Sequence, residues 1–305
     1  MGYWNRVITS TRSFRLEMLQ VARLAPKVLG DSAELVAGFL QRHLTPEGGF
    51  ADRAGRPDLY YTVFGLESLL ALRKEASLEA TRAYVQSFGD GAGLDFVHLC
   101  SLARCAANLG RDVLTEEVKT GLAARIEAYR TPDGGYHGSP GKSDGSAYGD
   151  LLAWGAYSDL ALPMPEEHGL LQSLLTLQLP DGSFANERDM PQGTTPTTAA
   201  GVILCSHLGH KPSPLTGEWL MKQAHAGGGF LAVPGAPLPD LLSTATALHA
   251  LESLQTNWQV LREPSLDFVD SLWNAEGGFH GHWADDDLDV EYTSYGLLAL
   301  GHLSS

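Results

Sequence analysis

Cysteine, cationic side chains and long apolar runs are all scarce in this sequence, and each scarcity closes off a class of protein. Three cysteines (Cys100, Cys105 and Cys205) occur in 305 residues, all in apolar helix-like stretches and none in Cys-x-x-Cys spacing. Neither a disulfide scaffold nor a structural zinc motif is indicated, and a reducing, cytoplasmic setting fits that usage. Lys and Arg total 21 against 36 Asp and Glu, a formal charge of −15, which argues against nucleic acid or an anionic membrane as the main partner. No apolar run reaches the ~18 residues of a membrane span. The opening Met1-Gly2-Tyr3-Trp4-Asn5-Arg6 has no uncharged signal-peptide core, and Arg6 stands where a myristoylation motif needs Ser or Thr. A Walker A motif and a Gly-x-Gly-x-x-Gly dinucleotide motif are absent too.

What the sequence does have is a repeat. A glycine-rich turn ending in an aromatic is followed by a loop, an acidic residue and an apolar helix-like run. The fullest copy is Glu276-Gly277-Gly278-Phe279-His280, then Asp285-Asp286-Asp287-Leu288-Asp289, then Tyr292 to Leu300. Earlier copies are Gly48-Gly49-Phe50 with Asp58, a worn Gly91-Ala92-Gly93-Leu94 with Asp95, and Asp133-Gly134-Gly135-Tyr136. Asp181-Gly182-Ser183-Phe184 and Gly228-Gly229-Phe230 with Pro239-Asp240 complete the set. From Phe50 to Tyr136 is 86 residues, twice 43 across the worn copy, and the next intervals are 48, 46 and 49 to Phe184, Phe230 and Phe279.

A period of 43–49 residues with two helices per unit is an all-α repeat architecture in which each pair needs its neighbours to bury its apolar face. One array implies one domain over 1–305, with residues 1–30 a helical extension and the repeats in 31–305. Residues 11–44 read as two helices. The run after each turn is the more apolar, which places it inside and its partner outside. Six pairs suit a closed helical barrel, although periodicity alone fits an open solenoid equally.

The turns Asp-Gly-Gly-aromatic and Asp181-Gly182-Ser183-Phe184-Ala185, with Pro239-Asp240 and Tyr292-Thr293-Ser294-Tyr295-Gly296-Leu297, resemble the repeats of protein prenyltransferase β subunits, the Rab-type (type II) geranylgeranyltransferase β subunit most of all. Class II terpene and squalene cyclases share those turns. The resemblance runs from about residue 30 to the C-terminus and implies an α/α toroid of six hairpins around an aromatic-lined cavity. It implies an isoprenoid or isoprenoid diphosphate as ligand and, in the transferases, a helical-repeat α subunit as partner.

The same family holds zinc with an Asp-x-Cys pair in the fifth repeat and a His in the sixth. Asp240 stands at the first position, but Leu242 replaces the Cys and Tyr292 the His, a set short of the soft donors zinc needs. The cations that take the diphosphate are missing as well, since that stretch is Val233-Pro234-Gly235-Ala236-Pro237-Leu238. In the cyclases an Asp-x-Asp-Asp-Thr motif protonates an alkene through its third residue. Asp289-Val290-Glu291-Tyr292-Thr293 can be laid on it, which makes Glu291 or Asp289 the acid.

Asp240, Asp289, Glu291 and Tyr292 are thus the catalytic candidates. Tyr60, Tyr61, Tyr148, Trp154, Tyr157, Trp283 and Tyr295 are the aromatic residues that could line the cavity and face an isoprenoid. Asp58, Asp95, Asp240 and the acids from Asp285 to Glu291 open helices, where capping is the default role and carboxylate-held Mg2+ the functional alternative. His280, His282 and Asp285 make a weak metal candidate. A non-catalytic lipid-binding or scaffold protein is the competing class.

Overall fold

A computed structural model describes residues 13–74 and 78–304. The opening residues considered above for a leader or lipid signal lie outside that range. Fourteen α-helices run through the described residues. The N-terminal part holds three, α1 (Phe14–Ala22), α2 (Pro26–Leu29) and α3 (Ser32–His43), in place of the two expected. Pro26 breaks the run and Gly30, at φ +53°, turns the chain before α3 begins. Next come α4 (Leu59–Ala71), α5 (Glu79–Ser87), α6 (Phe96–Leu109) and α7 (Glu116–Glu127). They are followed by α8 (Ala147–Leu160), α9 (Glu167–Leu175), α10 (Thr195–His207) and α11 (Leu215–Lys222). The last three are α12 (Leu241–Ser253), α13 (Arg262–Ser271) and α14 (Val290–Leu303). None is long and apolar enough to cross a membrane.

Helices α4, α6, α8, α10, α12 and α14 pack each on the next, and α14 packs back on α4, so the ring closes and an open solenoid is excluded. These are the apolar runs that follow the turns. Their partners α3, α5, α7, α9, α11 and α13 cover them from outside. The α/α toroid is therefore the fold of the chain.

The glycine turns make this closure possible. Gly277 sits at φ +98°, and a Cβ there would lie 2.1 Å from the Leu35 carbonyl oxygen of α3. Only glycine allows both that backbone angle and that approach of the last turn to the first outer helix. Each turn aromatic is fully buried beneath: Phe50, Tyr136, Phe184, Phe230 and Phe279 are 0–1% exposed. Phe50, Phe184 and Phe279 lie against Gly65, Gly201 and Gly296 of the following inner helix. The aromatic residue's N–H donates to a threonine on that helix (Phe50 to Thr62, Phe184 to Thr198, Phe230 to Thr244) at 2.9–3.0 Å.

The same residues fix where inner helices begin. In β1 (Phe50–Ala51) and β2 (Pro57–Asp58), Phe50 pairs with Asp58; in β3 (Phe230–Leu231) and β4 (Pro239–Asp240), Phe230 pairs with Asp240. A single bridge joins Phe279 to Asp289 in the last repeat. Asp58, Asp95, Asp240 and Asp289 each accept backbone N–H bonds at the start of α4, α6, α12 and α14, while Ser146 and Thr194 cap α8 and α10. Capping is thus what these four aspartates do, each cap contributing about 1 kcal/mol. The three cysteines are free and buried.

A candidate ligand cavity with one acid

The inner helices enclose a cavity of about 510 Å³. Its wall follows the helical period. The second residues of the six inner helices form an upper ring: Tyr60, Val97, Tyr148, Pro196, Leu242 and Glu291. One turn down, the sixth residues form the middle ring: Phe64, Ser101, Leu152, Ala200, Thr246 and Tyr295. The ninth residues are Glu67, Arg104, Gly155, Ile203, His249 and Leu298, and all but Glu67 reach the cavity. Spacings of four and three keep these side chains on one face of each helix.

Helix α1 closes the lower end. It lies across the C-terminal ends of the inner helices, with Arg15 bonded to Asp159 (2.8 Å) and Asn108 (2.7 Å), Glu17 beside His207 (3.4 Å), and the Val21 carbonyl against Gly301. Phe14 fills the notch that Gly155 leaves, where a Cβ would come within 2.7 Å of its ring. The Arg104 guanidinium lies 5.3 Å from the Phe14 ring centre and is held bidentately by Glu67 at 2.6 and 2.7 Å. This plug is the part of the site that the reading of residues 1–30 as a mere extension missed. The upper end is the one solvent reaches, and Tyr148 there is 41% exposed.

Of the catalytic candidates, Glu291 alone faces the cavity. The Tyr60 hydroxyl donates to its Oε1 at 2.6 Å, and its Oε2 makes no hydrogen bond among the described residues. Burial raises its pKa above the ordinary carboxylate value, Asp289 adds to the rise, and Tyr60 and Arg53 oppose it. Asp289 is buried just outside, capping α14 and paired with Arg53 at 2.8 Å. Asp240 caps α12 and accepts the Ser243 hydroxyl at 2.8 Å, with burial raising its pKa. Tyr292 is half-buried, one position past the upper ring, with Arg53 5.6 Å from its ring centre and Gly281 against its edge. The four do not form one constellation.

The aromatic candidates divide in the same way. Tyr60, Tyr148 and Tyr295 line the cavity. Tyr61 stands beside Tyr60 but one position out of phase. Tyr157 turns outward and donates to Glu127 of α7 at 2.8 Å, and Trp154 lies near His207 behind the wall. Trp283 is 44% exposed on the outside, where its indole N–H donates to Ser271 and its ring meets Phe268 edge-on. Tyr61, Trp154, Tyr157 and Trp283 are therefore not cavity residues.

Arg53, in the loop before β2, organises the acids at the upper rim. It meets Asp285, Asp287 and Asp289 at 3.2, 3.4 and 2.8 Å. A guanidinium thus occupies the centre of the cluster read as a magnesium site. His280 bonds the Asp287 carbonyl instead of joining His282 and Asp285. Among the described residues no three His, Cys, Asp or Glu side chains are placed to hold a metal ion. Asp240, Leu242 and Tyr292 do not fit zinc, because only the first carries a donor zinc favours and that carboxylate is committed to its helix. His98, between Asp58 (3.0 Å) and Asp95 (2.8 Å), has its pKa raised to about 9 by the Asp58 hydrogen bond first, against desolvation, with Asp95 adding to the rise.

A family model described as the prenyltransferase alpha-alpha toroid domain matches residues 17–88, 96–211 and 203–303. No curated protein matches the sequence. Among solved structures, the type II terpene cyclase MstE from Scytonema, in complex with geranylgeranyl dihydroxybenzoate, is similar at 13% identity and TM-score 0.58, covering 95% of this chain and 98% of that one. The Candida albicans protein geranylgeranyltransferase-I complexed with GGPP is similar at 13% identity and TM-score 0.53, covering 99% and 86%. The ent-copalyl diphosphate synthase from Streptomyces platensis is similar at 16% identity and TM-score 0.50, covering 81% and 50%. At these identities the likeness is one of fold.

Proposed function

Because the chain belongs to the prenyltransferase alpha-alpha toroid family, we propose that it holds an isoprenoid, or a similarly long apolar ligand, in its central cavity. The supporting observation is the cavity itself, whose 510 Å³ lies within the ~300–1,000 Å³ of small-molecule sites. Tyr60, Tyr148, Phe64 and Tyr295 supply aromatic faces to its upper two rings, and α1 seals it below. The Scytonema cyclase and the Candida transferase hold geranylgeranyl ligands, the chain class such a wall suits. Organic extraction of the purified protein with mass spectrometry, and titration with geranylgeraniol followed by tryptophan fluorescence, test this. An empty cavity that takes up no prenyl chain would leave the scaffold reading in its place.

Between the two chemistries that the family resemblance implies, the donor set favours proton donation over zinc-assisted transfer. Glu291 is the proposed acid. It is the one carboxylic acid in the aromatic upper rings, burial favours its neutral form, and Tyr60 fixes its orientation through Oε1, leaving Oε2 to carry the proton. Transfer of that proton to a terminal alkene carbon would leave a carboxylate and a tertiary cation facing Tyr60, Tyr148 and Tyr295. Incubation with a prenyl chain in D2O should give a cyclised product with one non-exchangeable deuterium, and Glu291→Gln should give none. An undiminished reaction in Glu291→Gln would remove Glu291 from the role.

A further inference from the structure

The lower wall of the cavity is polar, which a hydrocarbon alone does not require. Arg104 lies on α6 and Asp159 on the neighbouring α8. Arg104 uses Nε and Nη2 on Glu67, and its Nη1 makes no hydrogen bond among the described residues. Asp159, its side chain 2% exposed, gives Oδ1 to Arg15 and leaves Oδ2 buried without a partner. A buried polar atom without a hydrogen bond is costly and rare, so Asp159 Oδ2, on the cavity wall with the unused Arg104 N–H, points to a polar group of the ligand at that end.

The charges there say what kind of group. Arg15 faces Asp159 and Arg104 faces Glu67, so two cations balance two carboxylates. A net charge brought into this enclosed floor would have no counter-ion. The upper rim is no better for a polyanion. Arg53 is outnumbered there by Asp285, Asp287 and Asp289, and Arg104 is the only Lys or Arg among the described cavity-lining residues. A free donor (Arg104 Nη1) and a free acceptor (Asp159 Oδ2) match a group that both donates and accepts.

We infer that the ligand is a neutral prenyl alcohol, bound with its hydroxyl at the floor against Arg104 and Asp159 and its hydrocarbon end at the Glu291 ring, and not a diphosphate. The inference rests on the isoprenoid reading of the cavity. It also orients the chain, placing the terminal alkene beside Glu291. Glu291 is the second residue of α14 and Asp159 the thirteenth of α8, which separates the two ends by ~16 Å along the barrel at 1.5 Å per residue.

Three ligands of one chain length test it on the full-length protein: geranylgeraniol, its methyl ether and geranylgeranyl diphosphate, the last with and without Mg2+. The alcohol is expected to bind at least about tenfold more tightly than either, the size expected for hydrogen bonds to charged groups. Asp159→Asn keeps the bond to Arg15 but turns the free acceptor into a donor. It should bring the alcohol-over-ether ratio below about threefold, with circular dichroism unchanged. Equal binding of alcohol and ether, as a trapped water at the floor would produce, or diphosphate binding as tight as the alcohol, overturns the inference while the isoprenoid reading stands. Binding of none of the three overturns both.

Discussion

Truncation of Phe14 should open the lower end of the cavity without unfolding the ring. Phe14 is 4% exposed, occupies the notch over Gly155, meets His207 edge-on at 6.3 Å and lies beneath the Arg104 guanidinium. Phe→Ala at such a site costs about 3–5 kcal/mol. The six inner helices close on one another without α1, so the loss should fall on the docking of α1 more than on global stability. Each 1.4 kcal/mol is tenfold, and the undocked population should rise by up to roughly 10²–10⁴. Hydrogen exchange with mass spectrometry would read this as loss of protection in residues 14–22, with α8, α10 and α12 retaining theirs. Affinity for geranylgeraniol should fall at the same time. Full protection of α1 in Phe14→Ala would refute the plug, and a uniform fall in protection along the chain would refute its separability.

Gly277→Ala should lower stability by roughly 2–4 kcal/mol, since it combines a left-handed backbone angle with a Cβ placed 2.1 Å from a carbonyl oxygen. Gly235→Ala is the control, with φ +79° but open space around it, and should cost only the backbone part, about 1 kcal/mol, by urea denaturation. His98 should make stability fall in alkali. Its folded pKa of about 9 exceeds the ordinary 6.5, so its contribution is complete below about 6.5 and is lost as pH rises through 9. The urea midpoint of wild type should drop between pH 7 and 10 by more than that of His98→Gln, and parallel curves would disprove the clamp. Arg53→Ala removes the guanidinium that three carboxylates share, so Mg2+ should raise the melting temperature of this variant and not of wild type; an equal response of the two would show that Arg53 does not hold the site closed. Tyr157→Phe should lose about 1 kcal/mol of stability with its hydrogen bond to Glu127 and keep full ligand affinity, a loss of affinity being the result that would return Tyr157 to the cavity.

The acids of the last repeat show what a sequence does and does not disclose about a site. Asp285, Asp287 and Asp289 are close together in the chain, and their clustering is visible at once. Their counter-ion, Arg53, is more than 230 residues away. Without it the cluster reads as a metal site, and with it as a rim held shut by one guanidinium. Phe14 and Gly155 are a similar case, because a glycine within an apolar helix announces a close approach but not what approaches. Both pairs depend on ring closure, which brings the first repeat against the last and α1 across the helix ends, and the repeat period leaves closure undecided.

The cavity wall was more legible than the choice of aromatics suggests, and the reason is phase. Asp58, Asp95, Asp240 and Asp289 mark four helix starts, and the turn aromatics that pair with three of them hold those starts at one level of the barrel. Counting from each cap, inward positions recur at two, six and nine, with the fifth residues Val63, Cys100, Leu151 and Ala199 also reaching the cavity. Tyr60, Tyr148, Tyr295 and Glu291 are on the count. Tyr61 and Tyr292 sit at three, Trp154 at eight and Tyr157 at eleven, and all four point elsewhere. The count also brings in residues that no aromatic or acidic search selects, among them Arg104 and His249. Those polar side chains within otherwise apolar helices were the available sign that the cavity has a second polar end. The repeat that carries Glu291 announces the upper end, and the ninth positions announce what the ligand must offer below.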